Sequence, residues 1–83
     1  MDLNPNNMNA IQHYFAAAEV GDKAMGKIGE YDMEVGERKT TIRLPNYSAT
    51  KEDCDHIVSV GKERKCQAIV VWESNGTRVT FIE

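Results

Sequence analysis

The sequence predicts an α+β fold in which two helices pack on a four-stranded, mostly antiparallel sheet made of two hairpins. Apolar residues recur at helical spacing in two segments, alternate with polar residues in a third, and flank an Asn-Gly pair near the C-terminus. Together these patterns give the element order α-β-β-α-β-β. Because 83 residues can build only one sizeable core, we expect a single domain over residues 1–83.

The first helix is expected to begin in the segment NPNNMNAIQHYFAAAEVG. Asn4 can cap it, and Pro5 suits the first helical turn. Apolar side chains then follow at helical spacing, namely Met8, Ile11, Phe15 and Ala18. Gly21 is a candidate end, although Met25 and Ile28 would continue the same stripe.

The segment EYDMEVGERKTTIRLP predicts the first hairpin, because its first half alternates strictly. One face carries Tyr31, Met33 and Val35. The other carries Glu30, Asp32 and Glu34. A two-residue type II′ turn beginning at Gly36 would place Glu34 opposite Lys39 and Glu30 opposite Arg43.

The second helix is expected after Pro45. Thr50 and Asp53 form a capping-box pattern in which Asp replaces the usual Glu. The predicted buried stripe consists of Cys54, Ile57, Val58 and Gly61. Basic residues complement the C-terminal end of the helix dipole, namely Lys62, Arg64 and Lys65.

The closing hairpin is expected to turn at Asn75 and Gly76. In that register Trp72 faces Val79 and Val70 faces Phe81, which puts all four on one side. The other side carries Ile69, Val71, Thr80 and Ile82. Since neither side is polar, both should be covered.

Two readings of this hairpin follow. Val70, Trp72, Val79 and Phe81 could form an open apolar face that contacts a partner or a second copy of the chain. Alternatively, Trp72 and Phe81 fill the core beneath a helix. A strand edge near the chain end at Glu83 offers a further route to pairing with another chain.

Charge and composition exclude some classes of protein. Ten Lys and Arg against thirteen Asp and Glu give a net charge of −3, which disfavours nucleic acid and anionic membranes as partners. No apolar stretch is long enough to span a bilayer, and no secretory signal is recognised. We therefore expect a cytoplasmic protein in which Cys54 and Cys66 are reduced.

The residues that could carry chemistry are sparse. His13, His56, Cys54 and Cys66 lack the paired spacing of a zinc site, and no Cys and His are placed as nucleophile and base. The sequence therefore predicts no catalytic residue, no cofactor and no metal.

An acidic row is the most suggestive polar feature. Its members are Glu30, Asp32, Glu34 and Glu37. Side chains on one strand face repeat about every 6.6 Å, so the row could meet a basic surface of a protein partner. The alternative is a solvated row neutralised by Lys39 and Arg43.

We therefore expect a small acidic, non-catalytic protein-binding module that acts as an inhibitor or adaptor. Its size and charge are common among accessory proteins of phages and mobile elements, including inhibitors of host defence enzymes. The acidic row and the apolar set of the last hairpin are the predicted contacts. The alternative is a nucleic-acid-binding domain that uses Lys62, Arg64 and Lys65 with Arg78, and Tyr47 or Trp72 for stacking.

Overall fold

A computed structural model describes residues 11–83 and confirms the α+β class. The elements are α1 (Gln12–Ile28), β1 (Asp32–Val35), β2 (Lys39–Pro45), α2 (Lys51–Glu63), β3 (Gln67–Glu73) and β4 (Gly76–Ile82). The strands form one antiparallel sheet in the order β1-β2-β4-β3. The last strand is thus internal, and β1 and β3 form the edges. The predicted cap at Asn4 and Pro5 lies outside the described residues.

Helix α1 continues through Gly21 and ends at Gly29, so the candidate end at Gly21 is wrong. Gly29 adopts a left-handed φ of 78°, and its N–H donates to Met25 O at 2.9 Å. The predicted apolar stripe is also wrong, since Phe15 and Met25 are 39% and 45% exposed. The buried stripe consists mainly of small residues that let the helix approach the sheet closely: His13, Ala16, Ala17, Val20, Gly21 and Ala24.

Both helices pack on the same face of the sheet. The buried core draws Ala16, Ala17, Val20 and Ala24 from α1, Ile57 and Val60 from α2, and Ile42, Leu44, Val79 and Phe81 from the two central strands. Within residues 11–83 no helix covers the other face. The expectation that both sides of the last hairpin are covered is therefore not met among these residues.

The first hairpin keeps the predicted faces but not the predicted register. Val35 lies opposite Thr40 and Glu34 opposite Thr41, two residues away from the expected pairing. The connection is longer than a two-residue turn, and Gly36 N donates to Lys39 O at 2.7 Å. Because side chains alternate with a period of two, this shift leaves every residue on its expected face.

The second hairpin differs from its prediction in the same way. Its turn is formed by Ser74 and Asn75, so Trp72 lies opposite Thr77 and Val70 opposite Val79. Gly76 belongs to β4, where its φ is 149° and a β-carbon would overlap the carbonyl oxygen of Leu44. Glycine at this position therefore serves a close approach of two strands rather than the turn itself.

Helix α2 begins with the predicted capping box. Thr50 Oγ1 accepts from Asp53 N at 3.1 Å, and Asp53 Oδ2 accepts from Thr50 N at 2.9 Å. The buried stripe is partly as predicted: Ile57 and Gly61 are buried and Cys54 is half-buried, but Val58 is 43% exposed.

Candidate functional site

The two predicted sets of contact residues lie on opposite faces of the sheet. Val79 and Phe81 are both 0% exposed beneath the helices. They are core residues, so their assignment to a partner-facing surface is wrong. The alternative that placed Trp72 and Phe81 in the core holds for Phe81. Val70 lies half-buried on the same face.

Trp72 is the exception within that set. It is 54% exposed, although it lies on the helix-covered face of β3. Its Nε1 donates to Ala49 O at 3.0 Å, which fixes the indole beside the segment that leads into α2. Trp72 therefore lies at the margin of the core, where an aromatic side chain is available to another molecule.

The open face of the sheet is built from the residues that alternate with the core. One row across the four strands runs Asp32, Arg43, Arg78 and Val71, and the next runs Glu34, Thr41, Thr80 and Ile69. Carboxylates thus lie along β1, arginines and threonines in the centre, and aliphatic side chains along β3. We call this surface the open face.

The centre of the open face holds two arginines side by side. Arg43 and Arg78 are direct cross-strand neighbours, an arrangement that like charges disfavour. Each has a flanking carboxylate: Arg43 Nη1 lies 3.8 Å from Glu34 Oε1, and Arg78 Nη2 lies 3.3 Å from Glu73 Oε2. Arg78 Nε is enclosed and has no hydrogen-bond partner among residues 11–83. That nitrogen is not accessible, but the side chains of Arg43 and Arg78 are 50% and 39% exposed, so part of each guanidinium can contact an incoming group.

The acidic row lies at the β1 side of this surface, and all four of its residues are exposed. Arg43 lies opposite Asp32 but forms its ion pair with Glu34, so the predicted neutralisation of the row is present in part. Lys39 lies opposite Ile82 on β4 and does not pair with the row. Within the described part of the chain, Glu30, Asp32 and Glu37 form no ion pair. Most of the row therefore remains available.

The backbone of Glu37 is bonded to a buried histidine of α1. His13 Nε2 lies 3.2 Å from the carbonyl oxygen of Glu37, and its Nδ1 lies 2.7 Å from Oγ1 of Thr40. Because Nε2 must donate to a carbonyl, the neutral ring then accepts from the threonine hydroxyl. The buried imidazole thus anchors the loop between β1 and β2 to α1. This link could not be predicted from the sequence, because the partners are 24 and 27 positions away from His13.

The predicted basic cluster does not converge with its predicted stacking residues. Arg64 donates hydrogen bonds to the side chains of Gln12 at 3.3 Å and Glu19 at 3.5 Å. Its guanidinium lies 5.5 Å from the centre of the Phe15 ring. Lys62 is at the C-terminal end of α2, whereas Trp72 is bonded to Ala49 just before its N-terminal end. A helix of 13 residues separates these ends by about 20 Å.

A polar cluster that the sequence did not predict joins the two helices. Asp53 accepts hydrogen bonds from the hydroxyl of Tyr47 and, at 3.1 Å, from Lys27 Nζ. Burial alone would raise the pKa of Asp53, but hydrogen bonds from Tyr47, Thr50 and Lys27 hold it well below its ordinary value. Only the cap between Thr50 and Asp53 was visible in the sequence, since Lys27 and Tyr47 are brought to it by tertiary packing.

The cavity beside this cluster is too small for a substrate. It measures about 20 Å³, which is room for roughly one water molecule. His56 lines it, and its Nε2 is enclosed without a partner among the described residues. The arrangement is that of a structural junction between α1 and α2.

The sulfur and metal chemistry of the described residues is limited. Cys54 and Cys66 are free and half-buried, and burial raises the pKa of both thiols. No group of three His, Cys, Asp or Glu side chains within residues 11–83 is placed to hold a metal ion. Neither of the helices described above has the length and apolar character needed to cross a membrane.

Comparison with known proteins finds no family model that matches the sequence and no curated protein with significant similarity to it. The functional inference therefore depends on the geometry of the chain itself.

Proposed function

We propose that this chain is a non-catalytic protein-binding module whose contact surface is the open face, with the acidic row providing specificity for a basic partner. The observation that carries this proposal is the exposed carboxylate margin along β1, on a sheet face that no described helix covers. Asp32 and the 76% exposed side chain of Glu34 project from the same face of β1, and the strand geometry spaces them regularly.

The composition of the face supports a protein partner over a small molecule. Carboxylates along β1, arginines in the centre and aliphatic side chains along β3 lie side by side, and arginine is one of the residue types enriched at protein interfaces. The central arginines can bind carboxylates of the partner, while Asp32 and Glu34 meet its basic groups. Charge patterns of this kind favour specificity and fast association.

Within this proposal the protein acts in the cytosol as an inhibitor or adaptor, and small acidic inhibitors of host enzymes carried by phages and mobile elements are one class it would fit. Reduced Cys54 and Cys66 are compatible with that compartment. Loss of the partner's activity on binding would identify an inhibitor, and an unchanged activity would identify an adaptor.

A comparison of three affinity-tagged proteins tests the proposal. The site variant carries Asp32→Lys and Glu34→Lys. The control variant carries Glu52→Lys and Glu63→Lys, which change the net charge equally but lie at the two ends of α2, where their effects on the helix dipole oppose each other. All three should remain folded, because the four side chains are exposed.

We expect a protein in the host extract that is retained by the wild type and the control but not by the site variant. With that protein purified, the site variant should bind at least about tenfold more weakly, and wild-type binding should weaken as salt is raised. Retention of the same proteins by all three baits would overturn the proposal.

A further inference from the structure

The two edges of the sheet differ sharply in how they are protected. Edge strand β1 has four residues, two of them carboxylates. Edge strand β3 has seven residues, QAIVVWE, with no proline, glycine or lysine. Its pairing with β4 runs without a bulge from Gln67 to Glu73. Short length and charge discourage pairing at an edge, whereas a long, regular, apolar edge invites it.

Exposed apolar side chains gather along the β3 edge. Ile69 is 38% exposed on the open face, and Trp72 is 54% exposed on the helix-covered face. Val58 of α2 is 43% exposed. It shares a helix flank with Gly61, whose position lies against Ala68 of β3, so this flank is on the β3 side. The edge thus has apolar side chains on both sides of its unpaired backbone.

We propose that the outer edge of β3 pairs with β3 of a second copy of this chain, in antiparallel register centred on Val70. This joins two four-stranded sheets into a continuous eight-stranded sheet. The inference concerns a different surface from the proposed partner site and does not depend on it. It leaves one acidic row at each end of the dimer, so the dimer would present two copies of the partner site.

The sequence of β3 is complementary to itself in this register. Val70 faces Val70 of the second copy, Ile69 faces Val71, and the Gln67 amide faces the Glu73 carboxylate. On the helix-covered face the large Trp72 meets the small Ala68, beside Gly61 of the other copy. All seven residues pair, no like charges are opposed, and about six to eight backbone hydrogen bonds form.

The sequence of β1 is less complementary to itself than that of β3. An antiparallel pair centred on Met33 would place Asp32 opposite Glu34 of the second copy. A pair centred on Glu34 would place that carboxylate opposite itself. Like charges directly opposite each other destabilise a strand pair. A second copy is therefore better accommodated at β3, where seven residues pair, than at β1, which has only four residues.

The solution mass of the full chain, measured by light scattering over a concentration series, tests the proposal. We expect the wild type to form a dimer. Replacing Ile69 and Val71 with lysine puts Lys opposite Lys twice and should raise the dissociation constant on the order of 100-fold or more. Val35→Lys is the matched control, because Val35 is an apolar residue, 55% exposed, on the other edge strand. It should leave the dimer intact.

Mixing provides a test of the register that is independent of any loss of folding. The variant with Ile69→Glu and Val71→Glu should also be monomeric alone, but mixed with the lysine variant it should form a heterodimer, since each lysine then faces a glutamate. A wild type that stays monomeric would overturn the proposal, and so would a dimer that the lysine variant leaves intact or two variants that fail to associate. Partner capture by the acidic row is measured separately, so the two proposals fail independently.

Discussion

The ring of Tyr31 lies directly against the backbone of Gly21, in the space that a side chain at position 21 would fill. Gly21 is buried in the middle of α1, and the hydroxyl of Tyr31 donates to Asp22 at 3.4 Å. The glycine thus lets the chain leave α1, reverse at Gly29 and fold Tyr31 across the helix. Gly21 therefore has a packing role inside the helix, and it is Gly29 that ends the helix.

Replacing Gly21 with alanine should therefore destabilise the protein. In an open helix position the change would stabilise by roughly 1 kcal/mol, because alanine is the better helix former. Here the methyl group displaces the Tyr31 ring, and overpacking of this kind costs about 1–3 kcal/mol. Urea unfolding measures the difference in the free energy of unfolding.

Gly26 in the same helix is the matched control, since a β-carbon there meets nothing within 4 Å. Gly26→Ala should raise the free energy of unfolding by about 0.5–1 kcal/mol. In a Tyr31→Ala background, Gly21→Ala should also cease to destabilise. A loss of stability at position 21 that persists without the ring would show that the clash is not the cause.

The strand faces could be predicted from the sequence, whereas the registers could not. Alternation in β1 and β4 fixes which side chains share a face, and a register shift of two residues preserves that property. The shift itself depends on tertiary contacts: His13 anchors the loop at Glu37, and Gly76 is needed beside Leu44. The turn residues alone therefore do not predict either of these contacts or the registers that depend on them.

The chain has two phenylalanines, and they should respond very differently to truncation. Phe81→Ala removes a fully buried ring from the core and should lower the free energy of unfolding by roughly 3–5 kcal/mol. Phe15→Ala removes a ring that is 39% exposed and stacked on Arg64, so its cost should be about 1 kcal/mol. Chemical denaturation of both variants makes the comparison. Similar losses of stability in the two variants would contradict the assignment of Phe81 to the core and of Phe15 to the surface.

The buried pair of His13 and Thr40 should be sensitive to loss of the hydroxyl. Thr40→Val keeps the shape of the side chain but leaves Nδ1 of His13 without a partner, which should cost about 1–3 kcal/mol. Thr41→Val is the control, because Thr41 faces the open side and its hydroxyl is only part-buried, 3.1 Å from Thr80. Its cost should stay below about 0.5–1 kcal/mol. Equal effects would contradict an anchoring role for His13.

The exposure of the acidic row could be predicted from the sequence, whereas the burial of the last hairpin could not. Carboxylates that alternate with apolar residues on a strand lie on its solvent side, as Asp32 and Glu34 do. The apolar hairpin was ambiguous because the sequence does not reveal which face the helices cover. Only packing shows that Phe81 is core and that Ile69 borders an exposed edge.

Stability should fall in acid partly because of Asp53. Its pKa is lowered in the folded protein, so the unfolded state takes up a proton first as the pH falls. The stabilisation is therefore complete above about pH 5 and is lost progressively below the ordinary carboxyl pKa near 4. Asp53→Asn keeps an oxygen for the cap but removes the charge that Tyr47 and Lys27 bind. At neutral pH this variant should be less stable by about 2 kcal/mol.

Unfolding measured between pH 7 and pH 2 should show the gap between wild type and Asp53→Asn narrowing as the pH falls, because the wild type loses the charge that the variant never had. Asp55→Asn serves as the control. Asp55 pairs with Lys51 at 3.1 Å on the exposed side of α2, where such pairs contribute about 0–1 kcal/mol. A gap for Asp53→Asn that stays constant over this range would show that the carboxylate stabilises the helix junction by its shape and not by its charge.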